Sequence, residues 1–543
     1  YSTNESIYTS TICEPPYTHH YLKRPYAIEP RTVEAVAAPA YFDAAGRRLP
    51  DGADGAGVAS SVYTLRIKPG IYYATHPAFA RDAAGNLRHH RLERRVIDRL
   101  SSPLELAHDR ASTRELTAHD YVYGIKRMAS PRIVCPVLSL MAGYIPGLAR
   151  LAKDLAGRPA SGWLDLRGEA LEGVRALDDR TLEITIRGKY PQFSEWLAMN
   201  FFAPVPWEAE AFYAQEGLAA RNISLACGPV GTGPYYLEAS RQNREHVLAR
   251  NPLYRRDPYP CEGEPGDAEQ GLLADCGKPV PFIDRIVMTM EKESVPVASK
   301  FLQGYYDSPQ VSRLDAGLGY IVAAEDSPEK ARLYAERKLR FPKAVEANLW
   351  YLGFNWLDPV VGAGATPEQA ARNRKLRQAL SIAVDWEEQV AIFEKGQGEP
   401  AHGPVPPGLF GWRPGGPAAF NPVVYTRGAD GRAVRRPIED ARRLMREAGY
   451  PDGRDAATGK PLVLFFDWQG AAPGSKPFLE WMARQFGKLG VQLEIRATDY
   501  NRFQDKMQRG AAQIYYWGWL ADYPDAENFL FLLYGPNSKV EGA

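Results

Sequence analysis

The sequence predicts an α/β protein of several domains, and three observations carry that prediction. The chain is 543 residues long, too many for one compact core, so two to four domains are expected. From Pro281 onward, short runs of strand character alternate with runs of helical periodicity, the pattern of an α/β unit. Upstream, alternating strand-like runs and a capped amphipathic helix are separated by glycine- and proline-containing turns.

Composition excludes some classes of function. Hydrophobic residues make up 45% and charged residues 24% of the chain, the balance of an ordinary globular protein. The formal net charge is +1 and no long run of like charges occurs, so nucleic acid or an anionic membrane surface finds little to hold. No uninterrupted apolar run is long enough to span a membrane. The aromatic content of 11%, with 30 tyrosines, suits a protein that shapes pockets, a large core being the plainer alternative. The chain opens at Tyr1-Ser2-Thr3-Asn4 without an initiator Met or a signal peptide, and an upstream leader is expected to have been removed.

Cys261 and Cys276 bracket the Gly/Glu/Asp-rich segment Glu262 to Ala274, which lacks apolar periodicity. A disulfide there would contribute about 3 kcal/mol through chain entropy and would imply an oxidising compartment. Two free thiols are the alternative. Cys13, Cys135 and Cys227 cannot all pair with one another, and their spacing fits no zinc pattern.

The elements follow in order. A short helix carries Ile7, Tyr8 and Ile12. Val62 to Lys68 alternates as a half-buried strand and stops at Pro69-Gly70. Thr117-Ala118-His119-Asp120 is an N-cap with a carboxylate three positions on, leading a helix with Tyr121, Val122, Ile125 and Met128. Thr181 to Ile186 alternates as a strand, Phe201 to Pro206 is held extended by its prolines, and Gly228 to Leu237 is a glycine turn running into a strand. In the α/β part, strands are expected at Phe282 to Met288, Trp350 to Phe354 and Val491 to Ile495. Helices are expected at Arg374 to Val384, Ile438 to Ala448 and Phe478 to Leu489, the last two closed by Gly449 and Gly490.

No catalytic machinery emerges. Gly470 to Lys476 has the wrong spacing and residue order for a phosphate loop, and Pro473 removes a backbone donor. Neither a G-x-S-x-G elbow nor an H-E-x-x-H helix is present. His19-His20 and His89-His90 flank no carboxylate ligand set, and Asp522 and Asp525 have no nucleophile beside them. No enzymatic activity, no metal site and no cofactor are expected.

The stretch Tyr515 to Asp525 stands out: four aromatics in five positions around Gly518, then an acidic, proline-containing turn. Such density usually means core. The alternative is a strand whose rings shelter a ligand and whose carboxylate meets a positive charge.

Several segments together resemble a known family, the periplasmic oligopeptide- and dipeptide-binding proteins, family 5 solute-binding subunits of ABC importers. They are Tyr63 to Gly70, Thr117 to Arg127, Pro204-Val205-Pro206, Val230 to Tyr235, Phe354-Asn355, Lys375 to Asp385, Gly403 to Gly408, Asp440 to Gly449 and Gly518 to Tyr523, in the family's order across nearly the whole chain. The resemblance implies an α/β, two-lobed periplasmic-binding-protein-like fold, type II, of the large cluster with an extra inserted domain. Lobe I would comprise residues 1–45 and 165–285, the inserted domain 46–164, and lobe II 286–543. It implies capture of a peptide between the lobes and delivery to a membrane permease, in the periplasm or at the cell surface, by a monomer that does not bind nucleic acid. A glycan, opine-like compound or metal chelate is the alternative cargo, and a hydrolase using Asp522 and Asp525 a more distant one.

Carried over, Asp522 would accept the ligand's α-ammonium, and Trp517, Gly518, Trp519 and Leu520 would pair with the ligand backbone. His402, beside the Gly403 to Gly408 turn, would line or flank the cleft. Tyr516 stands where an oligopeptide-binding relative has an arginine that helps meet the ligand's C-terminus. Relatives begin earlier and continue further, so the sequence is expected to lack both ends of the fold.

Overall fold

The computed structural model describes residues 3–24, 26–106, 112–158, 162–221, 223–241, 244–291, 294–309, 327–339, 345–412, 420–470 and 473–538. Ala471 and Ala472, of the rejected phosphate loop, lie outside these. The chain forms two compact units, Tyr1–Met290 and Glu291–Ala543.

In the first unit, α1 (Thr3–Ile12) leads to Glu14, which is completely buried. An antiparallel sheet of order β1-β2-β4-β3 joins β1 (Ala40–Phe42), β2 (Ser60–Arg66), β3 (Val174–Asp178) and β4 (Thr181–Arg187). The two runs that alternate most cleanly in sequence pair with each other, Val62 opposite Thr185 and Leu65 opposite Leu182. Tyr63, Leu65, Leu182, Ile184 and Ile186 are buried, as period-two alternation requires. This sheet takes strands from both sides of residues 46 and 164.

Helix α2 (Ala118–Arg127) starts as its sequence predicts: the Thr117 N–H donates to the Asp120 carboxylate at 3.0 Å, closing a capping box. Tyr121, Ile125 and Met128 bury one face. Arg114 donates to both Asp120 and Glu208 at 2.6 to 2.8 Å, holding the helix start to a second element. The Phe201–Pro206 run is extended only from Ala203, because Asn200–Phe202 closes a 3-10 turn through Ala203 N–H to Asn200 O.

A second antiparallel sheet contains β5 (Tyr235–Arg241), β6 (Glu245–Arg250) and β7 (Arg285–Thr289). The strand expected from Phe282 begins at Arg285; the Ile283 carbonyl is taken by the Tyr235 hydroxyl at 2.9 Å instead of by a neighbouring strand. Before β5, the backbone of Gly231 and Gly233 crosses the end of α1. A Cβ on Gly231 would lie 2.0 Å from Ile12 O, and one on Gly233 2.4 Å from Thr11 O. Glycine is required for this close approach, which explains the run Val230 to Pro234 without a bound phosphate. Cys261 and Cys276, 15 residues apart, are joined by a disulfide. Cys13, Cys135 and Cys227 are free.

The second unit is built on a four-stranded mixed sheet of order β8-β11-β9-β10: β8 (Asn348–Phe354), β9 (Val463–Gln469), β10 (Gln492–Thr498) and β11 (Ile514–Leu520). β9 runs parallel to β10 and β11, and β8 antiparallel to β11. Four helices build the main core: α3 (Pro367–Ala383), α4 (Trp386–Phe393), α5 (Ile438–Glu447) and α6 (Lys476–Gly487). Leu376, Leu380, Met445, Phe478, Trp481 and Phe486 pack with Leu464, Phe466, Trp468, Ile514 and Tyr516. Helix α3 starts seven residues before its predicted start, because the Thr366 side chain caps it by accepting the Gln369 N–H at 3.2 Å and Pro367 takes the first position.

The other side chains of β9 and β11 meet α7 (Tyr500–Gln508). There Phe503 packs edge-on against Trp517 with ring centroids 5.2 Å apart, and Lys506 forms a close ion pair with the fully buried Asp467. Motif residues away from β11 have structural work. Asn355 Nδ2 donates to Gly510 O at 2.7 Å and Ala512 O at 2.6 Å, Arg377 holds the carbonyls of Val361 and Gly362, and Asp385 caps α4 by accepting the Glu388 N–H at 3.0 Å.

Candidate functional site

Strand β11 is paired on one side along its whole length and on the other only at its start. With β8 the ladder runs from Phe354 opposite Ile514 to Asn348 opposite Leu520, and Ala521 N–H continues it to Ala347 O. With β9 it holds only Phe466 opposite Ile514 and Asp467 opposite Tyr515. Where the next rung would form, the rings of Trp468 and Tyr516 stack at 5.6 Å. From Tyr516 to Leu520, this edge of β11 has no strand partner among the described residues, leaving main-chain donors and acceptors that an extended chain can satisfy.

The glycine within the aromatic run has a steric cause. Gly518 lies opposite Trp350, and a Cβ there would sit 2.5 Å from Cδ2 of the Trp350 indole. On the opposite face, the Tyr515 ring lies over Gly353 in the same way. Each aromatic thus needs a glycine across the ladder. Gly518→Ala is expected to cost the second unit about 2 kcal/mol by overpacking, lowering its melting temperature by a few degrees. A thermal melt superimposable on that of the parent protein counts against this packing.

The predicted site residues have different fates. Tyr516 is only 2% exposed and stacks with Trp350, Trp386 and Trp468, so its side chain belongs to the core. Burial, with a smaller contribution from Glu394, pushes its hydroxyl well above the usual phenol range. Trp517 rests on Phe503, and Leu520 is exposed. Trp519 packs edge-on against Phe531 at 5.4 Å and donates its indole N–H to Asn528 Oδ1 at 2.9 Å. His402 is exposed in a separate turn, its ring 4.7 Å from that of Tyr425. Asp525 accepts the Glu527 N–H at 2.8 Å, the cap of a short turn ahead of α8 (Glu527–Leu530).

Asp522 ends the open edge. The residue is exposed to solvent, yet the protein around its carboxyl partly desolvates it and pushes its pKa up to about 6, against a smaller opposing effect of a hydrogen bond from Asn528. Its open side keeps it hydrated, so it is the direction of this shift that the chemistry uses. No Lys or Arg pairs with it among the described residues. A carboxyl with little counter-charge, at the end of an open strand edge, has the chemistry to pair with a cation.

The sequence reading missed Asn528. It is 1% exposed, and its Oδ1 accepts from both the Trp519 indole and the Asp522 N–H, each at 2.9 Å. The available signal was a polar residue inside the run Glu527-Asn528-Phe529-Leu530, where a buried amide must have partners. Among the described residues, no group of three His, Cys, Asp or Glu side chains is placed to hold a metal ion, and no helix is long and apolar enough to cross a membrane.

A family model, bacterial extracellular solute-binding proteins, family 5 (Middle), matches residues 111–540, a span that includes β11, Asp522 and Asn528. The chain belongs to this family. It is 23% identical over 429 residues to heme-binding protein A of Haemophilus influenzae, covering 78% of this chain and 63% of that protein. It is 24% identical over 427 residues to the periplasmic oligopeptide-binding protein OppA of Salmonella typhimurium, covering 78% and 64%. The chain thus spans just under two thirds of the length of these curated relatives.

Among solved structures, DppA of Helicobacter pylori, a periplasmic binding protein in complex with the peptide STSA, superposes with a TM-score of 0.60 at 16% identity, over 99% of this chain and 78% of that one. The murein tripeptide binding protein MppA of Escherichia coli gives 0.59 at 17%, over 97% and 77%. The α/β, two-lobed binding-protein class expected from the motifs is therefore the fold of this chain. Family 5 is made of solute-binding proteins rather than enzymes.

Proposed function

We propose that this family 5 protein captures a peptide, or a related amine-bearing solute, and delivers it to the permease of an ABC importer. The observation that carries the reading is the open edge of β11 ending at an Asp522 carboxyl raised in pKa and, among the described residues, without a basic partner. A peptide laid along Tyr516 to Leu520 satisfies its backbone whatever its side chains, and its α-ammonium meets Asp522. Trp517, Gly518, Trp519 and Leu520 supply that edge. Tyr516 supplies main chain alone, its ring being in the core, and His402 flanks rather than anchors.

In this reading the protein performs no chemistry on its ligand, and Asp525 serves as a turn cap. It works as a monomer in the periplasm or at the cell surface. Residues 1–45 and 165–285 serve as lobe I, 46–164 as the inserted domain and 286–543 as lobe II.

Native mass spectrometry and titration calorimetry with a mixed peptide library test the reading. Retention of peptides with free amino termini is the expected result, and a protein that holds no peptide in either measurement overturns it. A second cargo class is favoured by relatives named heme-binding protein A and probable deoxycholate-binding periplasmic protein YgiS of Escherichia coli. Such a ligand lacks an α-amine, so its binding would be indifferent to Asp522.

A further inference from the structure

Asp522 follows β11 on a turn, and a turn alone does not aim a carboxylate to within a hydrogen bond of a fixed point. Asn528, one residue into α8 and almost completely buried, makes two hydrogen bonds to this end of the strand. Its Oδ1 accepts from the Trp519 indole at 2.9 Å and from the Asp522 main-chain N–H at 2.9 Å. The nearby Asn528 side chain also favours the ionised form of the Asp522 carboxyl. With Oδ1 used as a double acceptor, the amide NH2 is the group that can supply this effect.

One side chain therefore holds both the last indole of the open edge and the backbone of the anchor. We infer that Asn528 is the positioning residue for amine recognition, holding the Asp522 carboxylate in line with the edge of β11 so that the main chain and the ammonium of one ligand are met together. This rests on the function proposed above.

Charged groups near the turn are otherwise engaged. Glu527 takes a close hydrogen bond from the Tyr523 hydroxyl, Asp525 accepts the Glu527 N–H, and Glu346, ahead of β8, accepts from the Asn348 amide. Lys476, Arg502, Lys506 and Arg509 pair with carboxylates other than Asp522. Among the described residues, Asn528 is thus the polar side chain that holds the main chain of the anchor.

Two probes test this: random pentapeptides with free amino termini and the same library N-acetylated, each followed by native mass spectrometry from about pH 4.5 to about pH 8. Asn528→Asp keeps the acceptor used by Trp519 and by the Asp522 N–H and replaces only the donor with a second carboxyl. It is expected to melt like the parent while the midpoint of free-amine binding moves up by about one pH unit or more, because two adjacent carboxyls resist double ionisation. Asn528→Leu removes both functions and is expected to lower the preference for free-amine over acetylated peptides at least about tenfold.

Should the Leu variant fail to fold, the midpoint of the Asp variant decides. If folded variants keep the parent's midpoint and preference, Asn528 is a structural residue alone and the inference fails while the proposed function stands. If the parent protein itself shows no preference for free-amine peptides, the proposed function fails and the inference with it.

Discussion

Replacing Asp522 with asparagine is expected to weaken capture of free-amine peptides by about 100-fold or more, and to leave N-acetylated peptides within a few-fold of their affinity for the parent protein. Asparagine preserves shape and one acceptor oxygen, so what is lost is the charge. Removing one partner of a charge-assisted pair that is shielded on ligand binding costs about 2–5 kcal/mol, much of it the penalty of leaving the ammonium unpaired. The pH dependence has a definite sign. The ionised carboxylate binds, so affinity is full above the raised pKa of Asp522 and falls roughly tenfold per pH unit below it. An ammonium favours the ionised form, so the pKa drops in the complex and a proton leaves on binding at a pH near the raised pKa. Calorimetry in buffers of different ionisation enthalpy reads that proton directly. Asp522→Asn should bind weakly with no such dependence. Equal affinity of parent and variant for free-amine peptides removes Asp522 from recognition and favours a ligand without an amine.

The parts of this site that were legible in the sequence are those that depend on local pattern. Ile514 to Leu520 is rich in aromatics, stops at a turn with Pro524, and forms a strand as that pattern requires. The capping box at Thr117 and the helix stop at Gly449 depend equally on neighbours in sequence. Alternation even contained the fate of Tyr516, which shares a face with Ile514 and so enters the core; aromatic density alone, which treats all four rings alike, concealed it.

What depends on remote partners was not legible. Gly518 is glycine because Trp350, 168 positions earlier, crosses it. The edge is open because β9 leaves β11 after Asp467 and Tyr515, a divergence that neither strand's sequence announces. Asn528 acts on Asp522 from six residues downstream through a turn whose path no periodicity describes. The same division holds in the first unit, where the Val230 to Pro234 run reads as a turn but its cause is the backbone of Ile12.

That crossing leads to the largest expected loss of stability, at Glu14. The carboxylate is completely buried and accepts from Arg31 Nε at 2.9 Å, from Arg255 at 2.7 and 3.0 Å and from Thr232 Oγ1 at 2.8 Å. Burial by itself would raise its pKa, but the charges of Arg31 and Arg255, aided by the hydrogen bonds, outweigh it and hold the carboxyl below its usual range. It ties the end of α1 to the glycine crossing and to the chain after β6, three segments remote in sequence. Glu14→Gln keeps the shape and leaves the Arg31 guanidinium without its carboxylate partner, while Arg255 retains Asp257 at 2.8 Å. Breaking one side of a buried pair typically costs about 3–5 kcal/mol, and the lower end is expected because Arg255 stays paired. With two units in the chain a single global transition is a poor measure, so the test is hydrogen exchange in segments spanning Ile12, Thr232 and Arg255. Faster exchange is expected there and unchanged exchange in the second unit. The depressed pKa sets the acid behaviour as well: this contribution is present above the ordinary carboxylate pKa and is lost as pH falls through the lower folded value. The parent protein should therefore lose protection in these segments on acidification more steeply than Glu14→Gln does. Equal slopes would show that the two arginines do not hold the fold through this carboxylate.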